Sequence, residues 1–194
     1  MSTLSVKERW LAALRLQPLD RLPFWPKLDR AYPQAQRPPF RDMTIPALHA
    51  WIGSDPHVWM ASALIEKRRE CRWKTIRESP CSARTLFNTP AGTLVAVSHF
   101  DERSQSWHPV TYPVRTADDI HRMILFTRDL VIEPDPNALE AAQRQQAALG
   151  PHAVTAVAVG TSPLMDWLQH LAGVENGHYL LADRPDLVET LFDA

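Results

Sequence analysis

Residues 153–159, Ala-Val-Thr-Ala-Val-Ala-Val, form a continuous apolar run fenced by Pro151 and Gly160. A run of this length, rich in β-branched residues and closed by breakers, reads as a strand buried on both faces, as parallel strands between helices are. Parallel neighbours cannot be joined by a tight turn and need a long crossover, usually helical. This one segment therefore predicts an α/β chain.

The flanking sequence agrees. Ser5 and Glu8 make a capping box, and Trp10, Leu11 and Leu14 follow at helical spacing, so a first helix covers about 6–16. Residues 22–26, short, apolar and Pro-bounded, suggest a strand, and 56–61 a second. Between them, 30–46 is rich in Pro and Arg and reads as a surface loop, and 46–53 as a short helix closed by Gly53. Thr116 caps a helix over 117–129 with Asp118 and Asp119 in its first turn; Asp135 and Pro136 open another that ends at Gly150. Ser162-Pro163 starts a helix ending at Gly173, and a final one runs from Pro185.

Residues 70–112 differ. Cys71–Arg77, Arg84–Asn88 and Thr93–Phe100 alternate in polarity, and Thr89-Pro-Ala-Gly92 sits between the last two as a turn, so the segment reads as an antiparallel meander leaving the main sheet. Alternation of helices and strands around it implies a parallel sheet. The final helix carries no Gly, Asn or basic residue at its end, and the sequence is expected to stop inside an element.

Composition narrows the function. A formal charge of −1 gives no electrostatic footprint for nucleic acid or an anionic membrane. No apolar run approaches the ~18 residues of a spanning helix, so a cytoplasmic protein is expected. Cys71 and Cys81, the only two cysteines, have neither zinc-ligand spacing nor the makings of a disulfide framework, and read as ordinary thiols.

The opening Ser5-Val-Lys-Glu-Arg-Trp-Leu-Ala-Ala-Leu-Arg and the following Leu19-Asp-Arg-Leu-Pro-Phe-Trp-Pro resemble the start of the uroporphyrinogen decarboxylase family. Thr89-Pro-Ala-Gly, Tyr112-Pro-Val-Arg-Thr-Ala-Asp-Asp-Ile, Ser162-Pro-Leu, Leu171-Ala-Gly-Val-Glu and Asp183-Arg-Pro-Asp-Leu-Val resemble landmarks of its decarboxylase-like and corrinoid-methyltransferase-like branch. The resemblance implies a TIM (β/α)8 barrel, a fold of ~250 residues. The 194 residues would form a single incomplete domain, the N-terminal portion, holding about three barrel strands (22–26, 56–61, 153–159) plus the meander of about 70–112.

What the family implies for chemistry transfers unevenly. The arginine-rich loop of true decarboxylases matches Pro23-Phe-Trp-Pro-Lys-Leu-Asp-Arg30, where Trp25 fits but the first Arg has no counterpart; Lys27 and Arg30 are out of register. A Lys does not replace a bidentate Arg on a carboxylate. The family's catalytic Asp falls near Ser62 and its pocket Tyr near Gln169, so porphyrinogen decarboxylation is not expected. Zinc, in the methyltransferase branch, would be held by later barrel strands of a full-length parent; no cofactor or metal is expected on these residues. The family reading is thus an enzyme taking a small-molecule substrate or a corrinoid protein. The alternative is a non-catalytic half-barrel that associates through its open edge.

Trp25, Lys27, Asp29 and Arg30 are the candidate substrate-binding residues, because α/β barrels keep ligand contacts at strand C-terminal ends; a solvated loop is the competing reading. No catalytic residue can be assigned. His57 reads as a satisfied core histidine, and His99, His108 and His121 have no metal-ligand spacing.

Overall fold

The computed structural model describes residues 3–28 and 31–194. The chain is a mixed α/β protein arranged as two compact units, residues 1–64 with 134–159 and residues 65–133 with 160–194. None of the sheets among the described residues is closed into a barrel.

In the first unit, helix α1 (Val6–Leu14) starts at the expected capping box, with Ser5 and Glu8 each bonding the other's backbone N–H. Short helix α2 (Ala31–Gln34), a 3-10 turn at Phe40–Asp42 and helix α3 (Ile45–Ile52) follow. The stretch 30–46 is therefore partly helical rather than a plain loop. Gly53 closes α3 in the left-handed conformation, φ 70°, which glycine adopts without strain. Strand β1 (His57–Met60) then pairs in parallel with a strand nearly a hundred residues later, the apolar run at Val154–Val157.

Residues 22–26 do not form a strand. Pro23 and Pro26 lack the N–H that a ladder needs, and the Phe24 amide is taken by the Asp55 side chain at 2.9 Å. A single strand-like bond survives, from the Asp55 amide to the Phe24 carbonyl at 2.7 Å.

The chain leaves the first unit after Ala63. Strand β2 (Leu64–Arg68) pairs with β7 (Leu130–Pro134). Between them lies the expected meander: β3 (Arg72–Ser79), β4 (Ser82–Thr89), β5 (Gly92–Asp101) and β6 (Ser106–Thr111), antiparallel and in that order. Phe87 and Leu94 lie on the face that meets helix α4 (Ala117–Arg128). Thr116 and Asp119 form the capping box of α4, and Asp119 also bonds Arg122.

The chain returns to its point of departure, where the Asp135 amide bonds the Ala63 carbonyl at 2.8 Å. Helix α5 (Pro136–Leu149), capped by Asp135, then leads into β8 (Val154–Val157). With residues 64–134 set aside, β1, α5 and β8 make one strand–helix–strand unit with parallel neighbours. β8 is not buried on both faces: it pairs only with β1, and Val157 is 50% exposed.

The second unit is completed by α6 (Pro163–Asp166), continued as a π-helical turn (Trp167–Leu171), then α7 (Val174–Asp183) and α8 (Pro185–Phe192). Helices α4 and α8 pack together over Trp167, Ile120, Val114 and Val188, all fully buried. The Trp167 indole donates to the Gly177 carbonyl at 3.0 Å; a Cβ at Gly177 would lie 2.9 Å from that nitrogen, so only glycine lets α7 sit this close.

Candidate functional site

A buried ionic clamp shapes the first unit. Asp55, fully buried, accepts from Arg9 (2.5 Å), from both terminal nitrogens of Arg21 (2.5 and 2.9 Å) and from the Phe24 amide. Arg9 also forks onto Asp20 through Nε at 2.9 Å and Nη2 at 2.8 Å. Burial alone would raise the Asp55 carboxyl, but the Arg21, Phe24 and Arg9 bonds outweigh it and hold it below the usual carboxylate range. The Arg9 fork holds Asp20 far below that range as well. The indole N–H of Trp10 donates to the Asp55 carbonyl at 2.9 Å. The clamp thus ties α1, the 20–24 turn and the start of β1 together, fixing where Trp25 lies.

Trp25 forms one wall of a half-open pocket of about 660 Å3, within the range of small-molecule sites. His49, His57, Trp59, Lys27 and His152 also line it. The Trp25 ring stacks with His49 at 5.8 Å and 10°, and lies 4.0 Å from the His57 ring. Trp59 meets His57 edge-on at 5.1 Å.

The two imidazoles are in different states of satisfaction. His49 Nδ1 is hydrogen-bonded to the Ser54 hydroxyl at 2.8 Å, and that hydroxyl also lies 3.2 Å from the His49 carbonyl, so His49 has a polar partner. His57 Nε2 is buried and has no hydrogen-bond partner; among the described residues no other buried side-chain nitrogen or oxygen stands so. Burial pushes the pKa of both rings down, and the nearby His57 adds to the effect on His49. The expectation of a satisfied core histidine at position 57 is corrected. Its ring is packed among aromatic groups, which offer its nitrogen nothing to bond.

Of the four residues singled out from sequence, Trp25 and Lys27 line the pocket, while Asp29 and Arg30 lie outside the described residues. The pocket gathers Pro56 and His57 at the start of β1 with His152 and Ala153 just ahead of β8. It stands at the ends where the strands begin, not at their C-terminal ends. The reason is the missing strand: the Phe24–Asp55 bond sets Trp25 beside the beginning of β1. His49, His57 and Trp59, which sequence reasoning did not nominate, supply most of the chemistry.

Ser62 is exposed two residues beyond the end of β1, and Gln169 is exposed on the π-helical turn. Among the described residues no group of three or more His, Cys, Asp or Glu is placed to hold a metal ion. Cys71 is a poor thiolate, its pKa pushed up first by burial and then by Asp129. No helix among the described residues is long and apolar enough to cross a membrane. Comparison with protein-family models, with curated proteins and with solved structures finds no match to this chain.

Proposed function

We propose that the chain is part of a uroporphyrinogen decarboxylase-like α/β barrel enzyme, closer to the methyltransferase-like branch, and that the Trp25–His57 pocket binds a small molecule. The barrel reading is supported by the parallel β1–β8 pair joined through α5, one barrel repeat interrupted by the meander excursion. The binding reading rests on one observation, the buried His57 Nε2 without a partner. Such a group costs ~1–3 kcal/mol when left unsatisfied, and a ligand that bonds it recovers that energy. The aromatic and imidazole rings that line the pocket favour a flat ligand.

Porphyrinogen decarboxylation is not part of the reading. Ser62 at the C-terminal end of β1 cannot stabilise a developing cation as a carboxylate would, and Lys27 offers a point charge where an Arg fork would grip. Zinc chemistry in the parent enzyme would need donors other than those described, so no metal-dependent step is derived for these residues.

Calorimetric titration with a panel of flat heteroaromatic compounds tests the pocket. Saturable binding that His57→Phe abolishes, with unchanged circular dichroism, is the expected result; binding that survives the substitution refutes the assignment. Formation of coproporphyrinogen above background would overturn the exclusion of decarboxylation.

A further inference from the structure

Strand β3 is an outer strand of the meander, and all 8 of its residues are exposed, Trp73 at 61% and Ile76 at 39%. An outer strand presents a row of backbone N–H and C=O groups that its own sheet does not use. Natural edges are usually blunted by charge, proline or a bulge, and the bulge of β3 lies at its far end, between Arg77 and Ser79. β3 has no proline, and its charges are arranged symmetrically: Arg72 and Glu78, Trp73 and Arg77, and Lys74 and Ile76 flank Thr75 at equal distances.

We propose that β3 pairs antiparallel with the β3 of a second copy of this chain, about a two-fold axis at Thr75. A two-fold interface brings each residue i against j and each j against i. In this register each Arg72 faces a Glu78, each Trp73 faces an Arg77, each Lys74 stem lies beside an Ile76, and the two Thr75 residues meet on the axis. Residues directly opposite on neighbouring strands are ~4.5–5.5 Å apart at Cβ, close enough for each pair to interact.

Arg72 gives Nη1 to the Arg68, Arg69 and Cys71 carbonyls, and a guanidinium has further donors at Nε and Nη2 for a facing carboxylate. Glu78 sits at the bulge between Arg77 and Ser79 and bonds Arg84 at 2.8 Å, and a carboxylate has acceptor capacity for a further donor. The Arg77 guanidinium lies 4.6 Å from the Trp107 ring centre, with a second face for the Trp73 ring of the other copy. Thr75 already bonds Thr85 across the hairpin at 2.9 Å, which keeps the centre of the strand regular. A single strand pair buries less than a standard interface, so association is weak, in the micromolar range, and salt-sensitive.

Sedimentation velocity of the full chain, from low to high micromolar concentration, tests this. The chain should dimerise. Arg72→Glu and Glu78→Arg should each weaken association about tenfold or more, because each turns two attractive pairs into two repulsive ones. An equimolar mixture of the two variants should dimerise again, since every 72–78 pair in the mixed dimer is once more opposite in sign; this recovery also shows that both variants fold. Trp73→Ala, a change at an exposed ring, should weaken the dimer independently. A wild-type chain that stays monomeric throughout, a charge variant or Trp73→Ala that dimerises as the wild type does, or a mixture that stays monomeric overturns the proposal.

Discussion

The two units are held by different physics. In the first, the side chains buried most deeply include Asp55, Arg9, His49 and Ser54, and the closest contacts among them are charged. In the second, the innermost groups are Trp167, Ile120, Val114 and Val188, in one continuous apolar cluster. An apolar core is non-directional and tolerates small shifts. A buried ionic clamp stabilises only when every partner is present, but it fixes orientation. The pocket belongs to the unit that has orientation to keep.

The sharpest way to break this contrast is Asp55→Ala. It removes the acceptor that Arg9, Arg21 and the Phe24 amide share and leaves buried Arg9 with Asp20 as its one carboxylate partner, so stability should fall by ~3 kcal/mol, the low end of the usual cost of breaking a buried pair. Denaturant unfolding measures the loss, and amide exchange should show it over residues 4–24 and 54–57. A loss under ~1 kcal/mol would mean the clamp does not hold the first unit. Ile120→Ala, in the apolar cluster, should cost ~3 kcal/mol through transfer and cavity terms, with exchange rising in α4 and α8 instead.

Acid separates the units next. Asp20 and Asp55 have folded pKa values below their unfolded ones, so their stabilisation is fully present above pH ~4 and is lost as pH falls towards the folded values. The second unit has depressed carboxylates of its own at Asp101, Asp129 and Asp186, but none belongs to its apolar cluster, so exchange around the clamp should accelerate below pH ~4 before that in the cluster does; simultaneous loss would contradict the division. The smallest effect is expected at Val157. At 50% exposed, its replacement by Asp should shift stability by no more than ~0.5 kcal/mol in thermal melts, although the sequence read alone makes it a buried strand position.

That reversal shows where sequence reading stops. The capping box at Ser5, the Thr116 cap, the Asp135–Pro136 helix start and the antiparallel meander were legible because each depends on residues close together in the chain. Apolar patterning also picked out β8, but patterning cannot say how many neighbours a strand will have. Strands β2 and β7 escaped because Leu64-Ile-Glu-Lys-Arg and Leu130-Val-Ile-Glu-Pro are short and partly charged, and α7 because Asn176-Gly177 interrupts it. Half of the nominated site, Trp25 and Lys27, does line the pocket. The rest depended on Arg9 meeting Asp55, 46 residues away, a pairing that leaves no periodic trace. One hint was available: Arg9 lies three residues after Val6 and four before Ala13, a charge at core spacing on an amphipathic helix.

The bond between Ala63 and Asp135 has a consequence for the history of such a chain. An excursion whose two ends meet can change length at its exposed turns without displacing β1 or α5. Doubling its length would add only ~0.6 kcal/mol of closure entropy. The interrupted strand–helix–strand unit can therefore keep its own packing while the exposed turns of the meander vary; α4, packed on α8 in the apolar core, has no such freedom.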